Sequence, residues 1–202
     1  LGYRDRSGPP TDLPSIRSAG RYGRGTPRPA AGRRRLPGPM NLETRLFAYG
    51  TLKRGSPVHD QLCRGVCSVI PARLWGRLYE LPNGCPALVV PPAAVLAEAT
   101  ASPAEDHLRL GEWLHAPSPE CPREGWRAVS GQLITLADYR TAWPPLDAWE
   151  DAAPDQTRLF CRRIVRVERD NGVPVTAWTY LVPRLPAGAR ELVTGVWPVP
   201  LS

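Results

Sequence analysis

The sequence predicts an α+β domain with a mostly β core, closer to a small barrel or curled sheet than to a doubly wound one. Three observations predict it. Runs rich in β-formers recur between residues 45 and 182 and are separated by Gly and Pro turns. Asn171-Gly172 stands between two alternating runs, a strong hairpin signal. Helical character is confined to a few short segments, so helices flank the sheet and do not sandwich it.

In chain order, "RLFAYG" alternates and ends in glycine, which predicts a first strand leaving the core at Tyr49. "SPVHDQLCRGVC" suits a short helix with Ser56 as N-cap and Pro57 in its first turn. "SVIPARLWGRLYEL" and "PALVV" follow as neighbouring strands joined by the turn "PNG". Residues 91–125 break the pattern. They are expected to form an inserted excursion over the surface, with one short helix in "AEDHLRLGEWLHA".

"WRAVSGQLITL" resumes strand character. "ADYRTAWPPLDAWED" is expected to be a helix interrupted at Pro144 and Pro145, its second part turning Leu146 and Trp149 inward. "RRIVRVERDNGVPVTAWTYLV" closes the domain as a hairpin, with Asn171 and Gly172 able to take positive φ.

The net charge of +7 is localised. Residues 1–39 hold nine Arg and two Asp, whereas residues 40–202 hold seventeen basic and seventeen acidic groups, which cancel. Seven Pro and seven Gly in the same first segment leave too little apolar surface to offset ordering, so residues 1–40 are expected to be a disordered leader. The domain is assigned to residues 41–185 and a C-terminal tail to residues 186–202. Composition changes at Met40, which favours a translated leader with Met40 as the working start; an organellar transit peptide and a basic nucleic-acid arm rank below it. No apolar run approaches the ~18 residues of a membrane span, and five cysteines without framework spacing fit reduced cytosol.

His59, Cys63 and Cys67 are spaced four apart, but the pattern lacks a fourth ligand and reads as a partly buried helix face, not a metal site. The chain has no GxSxG elbow, Walker loop, HExxH, GxGxxG or CxxC pair. With only His59, His107 and His115 available, a general base is expected to be a carboxylate. Asp147, Glu150, Asp151 and Asp155 cluster, and the residues alone leave two readings of Glu150: an exposed acid at the helix end, the safer one, or an acid at the edge of the apolar face set by Leu146, where partial burial would raise its pKa. Lys53 and Arg54 read as solvated loop cations, with long-range attraction of an anion as the alternative, and Tyr79 and Trp149 as core packing, with lining of a pocket as the alternative.

"LFAYGTLKRG" resembles the opening signature of the gamma-glutamylcyclotransferase-like family, and "LDAWED…LFCRRIVRV…VTAWTYLV" resembles its second block, with "GRLYELPNGCPALV" between them. The resemblance covers residues 45–182, with residues 91–125 longer than the usual connection. It implies a compact β-barrel with flanking helices and a pocket at one end. It also implies an intramolecular reaction: the α-amine of a γ-glutamyl amide attacks the γ-carbonyl, giving 5-oxoproline and a free amine, with no cofactor. Carried onto this chain, Tyr49, Gly50, Thr51 and Leu52 would bind substrate and Glu150 would be the catalytic acid/base. Two positions depart from the pattern. Asp151 stands where glycine follows the Glu, adding a charge expected to raise the Glu150 pKa further, and Phe160 replaces a Tyr. Asp147 fits the pattern as a structural residue, a local cap. The implied partner is a small γ-glutamyl compound, with nucleic acid not expected and the oligomeric state left open. A different class stays open: a non-catalytic binding module with a basic nucleic-acid arm.

Overall fold

The computed structural model describes residues 44–113, 125–152 and 159–198. The expected leader, His115, Cys121, Asp155 and the last four residues of the tail lie outside them. Eight strands and three α-helices are formed by the described residues. The strands are β1 (Thr44–Ala48), β2 (Val66–Glu80), β3 (Pro86–Val89), β4 (Val95–Glu98), β5 (Arg127–Leu136), β6 (Cys161–Arg169), β7 (Pro174–Leu181) and β8 (Arg190–Glu191). The helices are α1 (Pro57–Leu62), α2 (Pro103–Glu112) and α3 (Tyr139–Trp149).

Five of the strands close into a barrel. β2 pairs antiparallel with β5, and β5 with β1. β1 pairs parallel with β7 at Leu46 and Trp178, and β7 pairs antiparallel with β6. β6 then returns to β2 through Ala72 with Arg169 and Arg73 with Glu168, leaving no open edge between them. β3 and β8 extend the far end of β2, and β4 pairs with the outer edge of β6.

Alternation along the strands divides the apolar residues between two cores. Phe47, Leu74, Val129, Leu133, Val167 and Ala177 pack together in one cluster. Their strand neighbours Leu46, Ile134, Ile164 and Trp178 belong to the other, where Ala142, Trp143 and Leu146 of α3 and Leu110 of α2 meet them. Where β5 crosses β1 a Cβ on residue 131 would lie 2.5 Å from the Ala48 carbonyl oxygen and 2.7 Å from the Phe47 ring, which explains glycine there.

Five expectations are corrected. α3 runs through Pro144 and Pro145 without interruption. Each proline removes one helical hydrogen bond, but burial of Ala142, Trp143 and Leu146 holds the segment in register. Trp149 does not turn inward; it is 52% exposed. Glu150, four residues after Leu146, continues the buried stripe, while Trp149 falls off its edge.

Residues 91–113 are woven into the fold more deeply than a surface excursion would be: β4 joins the sheet and Leu110 is buried in the helix-side core. In the β6–β7 turn Gly172 takes φ 76°, whereas Asn171 contributes its side chain, whose Oδ1 accepts the Val173 amide at 3.1 Å. Cys67 lies exposed on β2, so His59, Cys63 and Cys67 do not share a helix face.

Candidate active site

β1 leaves the barrel at Ala48, and the chain turns at once. The Lys53 amide donates to the Gly50 carbonyl at 3.1 Å, closing a β-turn over residues 50–53. The turn is anchored at both ends. Tyr49 is buried and its hydroxyl donates to the Tyr180 carbonyl at 2.8 Å. The Leu52 carbonyl lies 2.9 Å from His59 Nδ1, and Cys63 Sγ donates to it at 3.9 Å. Two of the three residues spaced like metal ligands, His59 on α1 and Cys63 at its C-cap, therefore hold the turn.

Glycine at position 50 has a steric cause: a Cβ there would lie 2.5 Å from Cγ of Pro86, the first residue of β3. Lys53 is not merely a solvated cation, since its Nζ donates to the Trp197 carbonyl and burial lowers its pKa. The Arg54 amide donates to Gln132 Oε1 at 2.6 Å.

Across from this turn α3 ends. The Glu150 amide still donates to Leu146 at 3.0 Å, and Asp151 then takes φ 50°, the left-handed conformation that glycine adopts without strain. Glu150 is half-buried, and desolvation pushes its carboxyl up to about 7; burial, not the neighbouring Asp151 charge expected from sequence, is the cause.

Between the two lies a cavity of ≈ 160 Å³. Tyr49, Gly50, Thr51 and Leu52 line it together with Glu150, so all five residues singled out from the sequence face one space. Trp149 lines it from its exposed position, and Pro86, Phe160 and Tyr180 complete much of the wall. Tyr79 does not line it; it packs beside the helix-side core. Burial first, and the charge of Glu150 second, raise the Tyr49 pKa well above its usual value, so that phenol is a neutral donor.

Sequence reasoning missed the polar network behind the wall. Asp147 is not a cap: its Oδ1 accepts from Arg162 Nε at 2.8 Å and from the Tyr180 hydroxyl at 2.7 Å. Arg162 Nη2 reaches Asp106 Oδ2 at 2.8 Å; these two are fully buried, and Asp147 is partly so. Arg162 is the first of three arginines in the "FCRRIVRV" block, yet nothing in a single sequence says that it points inward.

Residues 46–115 and 110–198 match the model of the family described as gamma-glutamyl cyclotransferase, AIG2-like. No curated protein matches the chain. Among solved structures, YkqA from Bacillus subtilis is 21% identical over 77% of this chain, with a TM-score of 0.46, and this chain spans only 40% of that protein. An uncharacterized protein from Pyrococcus horikoshii is 16% identical over 76% of this chain and 89% of its own, with a TM-score of 0.44. An AIG2-like protein from Mus musculus is 18% identical over 72% of this chain and 80% of its own, with a TM-score of 0.39.

Proposed function

The chain belongs to the gamma-glutamyl cyclotransferase, AIG2-like family, and on that premise we propose that it converts a γ-glutamyl amide to 5-oxoproline and a free amine. The observation that carries this reading is the shared cavity of Glu150 and the Tyr49–Leu52 turn. In the proposed reaction the substrate's α-amine attacks its own γ-carbonyl carbon. A C–N bond forms, the carbonyl oxygen becomes an oxyanion, and collapse breaks the bond to the departing nitrogen.

Each step has a residue suited to it. The α-amine is protonated near neutrality and must lose a proton before it attacks. Glu150, with a carboxyl near 7, is matched to take that proton and return it to the leaving nitrogen. Backbone amides of the turn are the proposed donors to the substrate carboxylate or the oxyanion, and preorganised donors of that kind contribute roughly 3 kcal/mol each. The anchoring of the turn by Tyr49, His59 and Cys63 supports preorganisation. Ring closure within one molecule leaves the enzyme mainly to freeze the folded rotamer. The reaction calls for no cofactor, and a reduced, cytoplasmic location fits the free Cys63, Cys67, Cys85 and Cys161.

A panel of γ-glutamyl amides assayed for 5-oxoproline tests the reading. Glu150→Gln keeps the side-chain shape and removes the proton carrier, so it should fold and lose turnover by at least about a hundredfold. A Gln variant that turns over at the wild-type rate would remove Glu150 from the chemistry.

A further inference from the structure

We propose that Asp106 is a positioning residue for this cavity, acting from α2 through Arg162 and Asp147 on both of its walls. The inference rests on the cyclotransferase reading only for its kinetic consequence; its structural content stands apart.

Asp106 is fully buried, and both of its oxygens are engaged. Oδ1 accepts from the Thr100 amide at 2.7 Å and from Thr100 Oγ1 at 2.9 Å, while Oδ2 accepts from Arg162 Nη2 at 2.8 Å. The Arg162 guanidinium lies over the Trp143 ring at 4.4 Å and the Trp178 ring at 4.8 Å, so indole faces restrict its movement. Its Nε holds Asp147 Oδ1, the same oxygen that takes the Tyr180 hydroxyl.

From Asp147 the network divides. Along α3, Asp147 stands one turn before Glu150 and fixes the end of the helix that presents it. Across β7, Tyr180 is tethered by its hydroxyl, and its own carbonyl receives the Tyr49 hydroxyl at the head of the 50–53 turn. One buried carboxylate thus reaches both halves of the cavity.

Two carboxylates around one buried guanidinium are a costly arrangement, because the desolvation of three charges is repaid only when geometry and hydrogen bonding are complete. An apolar trio would hold α2 against the sheet as well. What the charged arrangement adds is directionality: Asp106 is tied to Thr100 on one side and, through Arg162 and Asp147, toward both walls of the cavity on the other.

Asp106→Asn tests this in the full chain. The amide keeps the shape but must turn its NH₂ toward either the Thr100 donors or Arg162, setting donor against donor. Hydrogen exchange is read at two hydrogen-bonded amides, Lys53 in the turn and Glu150 at the end of α3, with the β2–β5 ladder as reference. Both amides should exchange about tenfold faster in the variant while the ladder is unchanged. In a Tyr180→Phe background the Lys53 amide should no longer respond to Asp106→Asn, whereas Glu150 should still respond.

Thr100→Val, which keeps the amide bond to Asp106 and removes the Oγ1 bond together with the Oγ1 contacts to the Ser102 amide and carbonyl, should give the same pattern at about threefold should the Asn variant fail to fold. Uniform acceleration, no change at Lys53, or an equal response at Lys53 in both backgrounds would overturn the proposal. For the γ-glutamyl amide turned over fastest, Asp106→Asn should lower kcat about tenfold with KM changed less than about threefold. Should the wild-type protein turn over no amide, the cyclotransferase reading fails while the exchange pattern still decides the role of Asp106.

Discussion

Replacing Glu150 with Gln should make the protein more stable, and only above a definable pH. In the folded chain the carboxyl is raised by burial from 4.5 to about 7. Between those values the folded state holds a proton that the unfolded chain has released, so acid favours folding and stability falls as pH rises from about 4.5 to 7. Above about 7 both states are ionised and the loss is complete. At ~1.4 kcal/mol per pH unit the displacement amounts to about 3 kcal/mol, the cost of keeping a carboxylate in a half-buried place.

Gln carries no such charge. Urea unfolding of both proteins at intervals from pH 4.5 to 8.5 should give curves that nearly coincide at the acid end. They should diverge to about 3 kcal/mol at the alkaline end, with the variant the more stable. The same ionisation should appear in activity, with kcat/KM rising through pH 7 before it levels. Parallel stability curves, or a variant that is less stable at pH 8.5, would refute the reasoning. Either result would mean that the carboxyl is not desolvated and has no reason to titrate near neutrality.

Two further substitutions test the backbone that frames the cavity. Gly50→Ala drives a methyl into the Pro86 ring, which must move, so thermal unfolding should register a loss of about 1–3 kcal/mol and turnover should fall with it; unaltered stability would show that the contact is loose. Asp151→Gly relieves a positive φ at the end of α3 and should gain about 1 kcal/mol in urea unfolding, net of the extra freedom of glycine in the unfolded chain. A loss there would mean that the Asp151 side chain outweighs the strain.

Much of the fold was legible because alternation is a strong signal when a strand has a different core on each face. Leu46 and Phe47 are adjacent, both apolar, and belong to different clusters, and the same holds for Ala177 and Trp178. The helix α3 was harder. Hydrophobicity favoured Trp149 as an inward residue, but helical period favoured Glu150, and period won because Ala142, Trp143 and Leu146 had already fixed the buried face. The two prolines looked like a stop because local propensity carries no information about what the helix packs against.

The turn and Glu150 were recognisable as a pair only through resemblance, since nothing in the intervening 97 positions between Leu52 and Glu150 records that they share a cavity. The buried network was not legible at all. An arginine in an alternating strand reads as a solvent position, and Asp106 in a polar helix reads as surface, yet they meet 56 residues apart. Long-range pairing of polar groups leaves no local pattern.

Three acids within five residues show how strongly environment sorts chemically similar side chains. Asp147 meets a guanidinium and a phenol, and those bonds commit it to holding structure. Asp151 is exposed, and what distinguishes it is its backbone conformation. Glu150 alone of the three combines a cavity, partial burial and a carboxyl near 7. One turn of helix separates Asp147 from Glu150, so the same rigid element sets both positions. Clamping the first therefore fixes the second without placing a cation beside it, and a neighbouring cation would draw the carboxyl back down into the ordinary acid range, out of reach of an amine's proton. On the proposed reaction the separation of Asp147 from Glu150 is thus part of the site: one turn of helix, short enough to position Glu150 and long enough to leave its acidity to burial.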